Sequence, residues 1–219
     1  MPNDFPEFFI DDGLQTLDVG HWAKTKHNKI GYYCSLFASS MKNKWDYRIY
    51  IDLFAGSGKC RIRNTNKIIP GSPLISLGVQ QPFDKYVFCE KDSTNIIALK
   101  ERCKEYFPDR DCDFIEGDAN NKLSEIFSSI PRFSKTFRGL SLCFVDPYKK
   151  GELDFKTIQS IANNLYVDFL VLIPSFMDLN RNKHNYTRLD DYSLDIYLGT
   201  KRWRDRWDNI KDKNKTVFL

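Results

Sequence analysis

Four acidic residues each end a short apolar run: Asp52 in IYIDLFAGSGKC, Glu90 in VFCEKD, Asp118 in IEGDAN and Asp146 in CFVDPY. The first is followed by small residues, Gly56-Ser57-Gly58, where a backbone can come close to a ligand. Three ligand chemistries compete for this stretch. A phosphate loop, Gly-x-x-x-x-Gly-Lys-Ser/Thr, would need glycine at 53 and a magnesium-binding hydroxyl at 60, which are Leu53 and Cys60. A dinucleotide loop would need a third glycine at 61, which is Arg61, and a helix opening at once on the pyrophosphate; KCRIRNTNKIIP intervenes instead. S-adenosylmethionine (SAM) has no phosphate. It asks for a carboxylate at a strand end, glycines that let the backbone approach its amino-acid moiety, an acid after the second strand for the ribose hydroxyls and a polar group after the third for adenine. Asp52 with Phe54, Gly56, Ser57 and Gly58 meets the first demands, Glu90 with Lys91 the next, and Asp118 with Ala119 the last. Each acid alone is an ordinary helix cap or solvated turn; their order along the chain points to SAM.

Holding those acids in line requires strands, and the pattern supplies them. Residues 47–54, 86–89, 112–115, 140–145 and 168–173 are short apolar runs of the kind seen in strands buried on both faces. Between them, residues 92–107 place Ile96, Leu99, Cys103 and Phe107 on one helical face, with Pro108 as a stop, and residues 120–130 and 155–165 repeat the pattern. Ser72-Pro73 reads as an N-cap with proline at the first helical position, opening a helix to about Gln80. Ahead of the first strand, Trp22, Ile30, Tyr33, Phe37 and Met41 keep roughly helical spacing among lysines. The alternation predicts an α/β fold, a doubly wound Rossmann-like parallel sheet with helices on both faces and an N-terminal helical extension. The acids then lie beyond the carboxyl ends of the strands, where open α/β sheets bind ligands. The implied division is an extension over 1–46, a SAM-binding core over 47–180 and a basic, aromatic segment over 181–219.

A chain of 219 residues suffices for one domain with a sizeable core. Its 33 basic and 29 acidic residues give a net charge of +4 and a pI near 8.6, too mild a balance to demand a polyanion partner. The six cysteines show no Cys-x-x-Cys spacing, and Cys89, Cys112 and Cys143 fall in or beside apolar runs, as buried free thiols in a reducing compartment would. The start of the chain has no basic, apolar leader and no apolar run approaches the ~18 residues of a membrane span, so a soluble, cytoplasmic protein without a membrane partner is expected. His21, His27 and His184 lack metal-ligand spacing and read as surface or locally hydrogen-bonded residues; no metal is expected.

At these residues the sequence resembles the class I SAM-dependent methyltransferases, and within them the three-Cys-motif partner (TcmP) family. The resemblance is carried by HWAKTKHNKI, YIDLFAGSGKC, PGSPLISL, the acid of CEKD, GDAN, FVDPYKKG and YLGTKRWRDRW, spanning His21 to Trp207, with DLFAGSG and GSPL the most specific pair. It implies a methyltransferase-like domain of prokaryotes or their mobile elements, using SAM, with a separate three-cysteine-motif protein encoded nearby as partner. This chain carries no such motif itself. Asp146-Pro147-Tyr148 is similar to the Asp/Asn/Ser-Pro-Pro-aromatic loop of enzymes that methylate exocyclic amines of bases. There the acid and a proline carbonyl accept the amine hydrogens, the aromatic stacks on the base, and positioning supplies much of the catalysis. The present tripeptide is one proline short, which brings Tyr148 one place early. The implied function is methyl transfer to DNA or RNA at an exocyclic amine. A non-catalytic module that binds SAM or a partner protein in a defence or mobile-element system is the competing class, and for the tripeptide itself the alternative is that Asp146 caps a turn while Tyr148 packs.

Basic residues near these motifs offer acceptor contacts. Lys149 and Lys150 form either a phosphate clamp or a solvated turn. Residues 59–70 carry Lys59, Arg61, Arg63 and Lys67 and no acid; as a long loop at the pocket mouth they form either a lid that recruits a phosphate-bearing acceptor through Arg61 and Arg63 or a solvated basic loop. Residues 197–207 interleave Lys201, Arg202, Arg204 and Arg206 with Trp203 and Trp207, which can stack on bases. Tryptophans four apart also share one helix face, and the spacing favours their burial with the arginines in water. The final residues, 215–219, are apolar and strand-like, and a strand starting there would carry the sheet into residues beyond them.

Overall fold

The structure is a computed structural model that describes residues 9–173 and 183–211. In chain order its elements are β1 (Leu17–Val19), α1 (Trp22–Met41), β2 (Tyr47–Asp52), β3 (Lys59–Ile62), β4 (Ile68–Pro70), α2 (Ser72–Leu77), β5 (Lys85–Glu90), α3 (Ser93–Tyr106), β6 (Cys112–Glu116), α4 (Leu123–Ser128), β7 (Gly139–Val145), a 3-10 turn (Lys150–Glu152), α5 (Phe155–Asn164), β8 (Val167–Val171), α6 (Lys183–Tyr186), α7 (Ser193–Leu198) and α8 (Arg202–Lys211). The strand-like run at 215–219 lies outside the described residues. None of the described helices is long and apolar enough to cross a membrane.

Five strands form a parallel sheet in the order β6-β5-β2-β7-β8, flanked by helices, the Rossmann-like arrangement expected from the alternating pattern. The chain winds outward from β2 through β5 to β6 and then returns to β7 on the other side of β2. The strand order therefore reverses beside β2, the topological feature at which open α/β sheets bind ligands. Residues of β2 (Ile49, Tyr50, Ile51), β5 (Tyr86 to Cys89) and β7 (Leu142 to Val145) have no exposed surface, so these strands are covered on both faces and need continuous rather than alternating apolarity. Asp52 is in register with Phe88 of β5 and Phe144 of β7, which sets the ends of the three strands level.

Helices form where a stripe can be buried. α1 buries Ala23, His27, Ile30, Cys34, Phe37 and Ala38 along one side. α3 opens on the Asp92 carboxylate, which accepts from the backbone amides of Thr94 at 2.8 Å and Asn95 at 3.1 Å, and it buries Ile96, Leu99, Arg102 and Cys103. In α2, Gly71 and not Ser72 is the N-cap. Gly71 adopts an extended conformation and donates its amide to the Gly58 carbonyl at 2.7 Å, tying the helix entry to the glycine turn.

The segment 59–70, expected as a basic loop, is a hairpin of β3 and β4. It joins β1 in a second, three-stranded sheet, β1 parallel and β4 antiparallel to β3. Lys-Cys-Arg-Ile alternates as a strand must: Cys60 and Ile62 turn inward against Ala23 and Ile69, while Arg61 and Arg63 turn outward. The segment ahead of the main sheet consequently holds β1 as well as the expected helix. A second correction concerns His27, which is 5% exposed; it hydrogen-bonds the Pro70 carbonyl, and its Nδ1 has no partner among the described residues. His21 and His184 are exposed.

The chain divides into two compact units, Met1–Val145 with Leu165–Leu170 and Asp146–Asn164 with Val171–Leu219. In the second unit, α8 half-buries Trp203 and Trp207 and exposes Arg202 and Arg206, in line with the four-residue spacing. Arg204 does not point to water. It pairs with the buried Asp195 carboxylate at 3.0 Å, which also accepts from Trp203 Nε1 at 2.7 Å.

Candidate functional site

The carboxyl ends of the central strands are sewn together by backbone bonds from Leu53 to Phe144, from Ala55 to Cys89 and from Gly117 to Glu90. Into this frame the first unit brings Asp52, the glycine turn, Glu90 and Asp118. Asp52 is fully buried. Its carboxylate accepts from the Phe54 amide at 3.1 Å and from the Tyr50 hydroxyl at 3.4 Å, so it shapes the turn from beneath. Burial, then the charge of Asp52, pushes the Tyr50 phenol well above its ordinary range and keeps it a donor. The same two influences raise the Cys34 thiol to about 12, and Cys143 likewise rises. Burial, then Glu90, takes Cys89 to about 12. Burial thus favours the neutral form of all three thiols.

Gly56 and Gly58 lie in the left-handed region, with φ of 63° and 84°, and a Cβ on Gly58 would come within 2.9 Å of Leu99. Both are required by shape. Ser57 is internal to the turn, its hydroxyl bonding the Lys59 carbonyl. Glu90 is half-buried and takes the Gly56 amide at 2.7 Å, joining the glycine turn to the end of β5. Lys91 is exposed and reaches Asp118 at 3.4 Å, and Asp118 also takes the Asn120 amide at 3.0 Å, next to the buried Ala119. Phe54 is half-buried.

Lys59, the cation of the glycine turn, is 1% exposed. Its Nζ meets Asp12 at 2.8 Å and the Tyr106 hydroxyl at 3.0 Å and lies over the rings of Phe9 and Tyr106. Arg102, fully buried, grips both Asp12 oxygens at 2.9 and 2.7 Å and the Ser57 carbonyl at 2.6 Å. This Asp12-Lys59-Arg102 cluster was not anticipated. Its one sequence signal is an arginine on an otherwise apolar helix face, beside Leu99 and Cys103. Both cations are thus committed to Asp12, and the turn is followed by a strand, so the features a phosphate would require are absent from the glycine turn.

Asp146, Pro147 and Tyr148 begin the second unit, directly after β7. Tyr148 is 82% exposed, so it does not pack, and its backbone amide donates to the Glu152 carboxylate at 2.9 Å. Lys149 is exposed; the side chain of Lys150 lies outside the described residues. Arg61 pairs with Asp11 at 2.6 Å, and Arg63 is exposed with one bond to the Asp18 carbonyl.

No protein-family model and no curated protein matches the chain. Two solved structures are similar over part of it. Protein LPL1258 from Legionella pneumophila, of the family DUF519, has a TM-score of 0.43 and 17% identity over 63% of this chain and 62% of its own. YhhF from Escherichia coli, named as a candidate methyltransferase, has a TM-score of 0.40 and 16% identity over 74% and 68%. The chain thus spans less than two thirds of LPL1258.

Proposed function

We propose that the protein binds SAM at the carboxyl edge of its parallel sheet and transfers the methyl group to a nucleic acid, at an exocyclic amine. The carrying observation is the Glu90 carboxylate bonded to Gly56 of a left-handed glycine turn whose neighbouring cations are committed elsewhere. That combination suits a nucleoside ligand without phosphate. Glu90 would hold ribose, the Phe54 to Gly58 turn the amino-acid moiety, and Asp118, Ala119 and Lys91 the adenine side; Asp52 supports the turn. Bound there, SAM supplies an electrophilic methyl group. An amine acceptor needs positioning rather than a nucleophilic side chain. To the acceptor we assign Asp146 and the Pro147 carbonyl as hydrogen-bond acceptors and the exposed Tyr148 as a stacking ring, with Arg61, Arg63, Lys149 and Lys150 for phosphates. A three-cysteine-motif protein is the proposed partner.

Calorimetry with S-adenosylhomocysteine is expected to give micromolar binding, weakened roughly 10- to 100-fold by Glu90→Ala, the loss of a charge-assisted bond of about 1.5–3 kcal/mol. Equal affinity for parent and variant would remove Glu90 from the site. Transfer of labelled methyl to total DNA, RNA or protein decides the acceptor; label in protein alone would refute the nucleic-acid assignment. The missing second proline favours one competing reading, a SAM-binding module without catalysis. Binding with no transfer to any of the three would support it.

A further inference from the structure

Among the described residues Glu90 has three protein donors: the Gly56 amide on Oε2 at 2.7 Å, and on Oε1 the Asp92 amide at 2.9 Å and Asn95 Nδ2 at 3.4 Å. A carboxylate offers about four acceptor positions, two on each oxygen. Oε1 is therefore saturated and Oε2 keeps one. The amides of Gly56 and Asp92 are backbone groups, placed there by the glycine turn and by the start of α3. Asn95 is different, because its contribution is a side chain. Only 7% of it is exposed, and its Oδ1 is buried with no hydrogen-bond partner among the described residues. Helix capping does not call for that side chain, since Asp92 takes the Asn95 backbone amide. An unpaired buried carbonyl is unfavourable, and an alanine at this helical position would avoid it. Among the described residues, the one bond the Asn95 side chain donates goes to Glu90.

We propose that Asn95 is a specificity-determining residue: by filling the second position on Glu90 Oε1 it leaves Glu90 a single free position on Oε2, so that a bound nucleoside is held through one ribose hydroxyl and not through both. The proposal rests on the nucleoside site described above. It makes the other hydroxyl dispensable, and it makes Asn95, which lies behind Glu90, the residue that sets this count.

The test is calorimetry of the full chain with S-adenosylhomocysteine and its 2′-deoxy and 3′-deoxy counterparts, on the parent and on Asn95→Ala. For the parent, one deoxy compound is expected to bind about tenfold or more weakly, the value of a lost bond to a charged group, and the other within about threefold of the full ligand. In Asn95→Ala, where Oε1 regains a position, both deoxy compounds should bind more weakly than the full ligand by similar factors. A purely structural role for Asn95 would shift all three ligands together and leave their ratios unchanged, which overturns the proposal. Equal losses for both deoxy compounds on the parent, or no loss for either, also overturn it without any variant. Failure of S-adenosylhomocysteine itself to bind is a separate result, and it refutes the nucleoside site as a whole.

Discussion

Asp12→Ala is expected to lower the unfolding free energy by about 3–5 kcal/mol, as removing one partner of a buried ion pair does. The loss is large because two cations depend on one carboxylate. Lys59 and Arg102 are 1% and 0% exposed, and without Asp12 both would be left buried with only carbonyls and hydroxyls as hydrogen-bond partners. A deficit of that size is a substantial part of the stability of a typical domain, about 5–15 kcal/mol. Urea unfolding followed by circular dichroism measures it, and a loss below about 1 kcal/mol would show that the cluster is solvated. The acid limb gives a second readout. The bond from Arg102, assisted by Lys59, holds the Asp12 carboxyl well below the usual carboxylate range. A depressed carboxylate stabilises the fold fully above its unfolded value of 3.8 and loses that contribution as pH falls below it. The slope of stability against pH below about 4 should therefore be shallower in Asp12→Asn than in the parent.

His27→Gln is expected to flatten a different window. Burial, reinforced by the nearby charge of Lys26 and opposed by the bond to the Pro70 carbonyl, lowers the His27 imidazole from 6.5 to about 3. The unfolded chain then binds the proton first, so stability is complete above pH 6.5 and declines as pH falls toward 3. Between pH 7 and pH 5 this amounts to about 2 kcal/mol, at 1.36 kcal/mol per unit. Glutamine can still donate to Pro70 but does not titrate. Urea midpoints at the two pH values should differ markedly in the parent and much less in the variant. Equal differences would mean that His27 is hydrated and titrates normally.

The pairing that proved readable was between local pattern and local structure. The runs around 47–54, 86–89 and 140–145 became β2, β5 and β7 because strands covered on both faces must be apolar at every position, and no other short element requires that. The hairpin at 59–70 was missed for the opposite reason. β3 belongs to a small sheet with one face outward, so it shows only an alternation, Cys60 and Ile62 against Arg61 and Arg63, and its polar residues outweighed that signal. Burial of His27 was equally illegible, since a histidine on an amphipathic helix reads the same whether water or Pro70 faces it.

The sequence by itself determined which residue types end which strands: Asp52, Glu90 and Asp118 in order, with glycines at 56 and 58 where φ is positive. These follow from the chain's local rules, strand periodicity and the steric freedom of glycine, which act over a few residues. Tertiary structure decided what each acid does. Asp52 sank beneath the turn onto Tyr50 and Phe54, Glu90 turned to the Gly56 amide with Asn95 behind it, and Lys59 turned away from the turn it belongs to, toward Asp12. Lys59 and Arg102 meet Asp12 across 47 and 90 residues of chain. Such a meeting depends on burial: once the fold withdraws a cation from water, its only adequate partner is whichever carboxylate lies within hydrogen-bond reach, however far off it lies in the sequence.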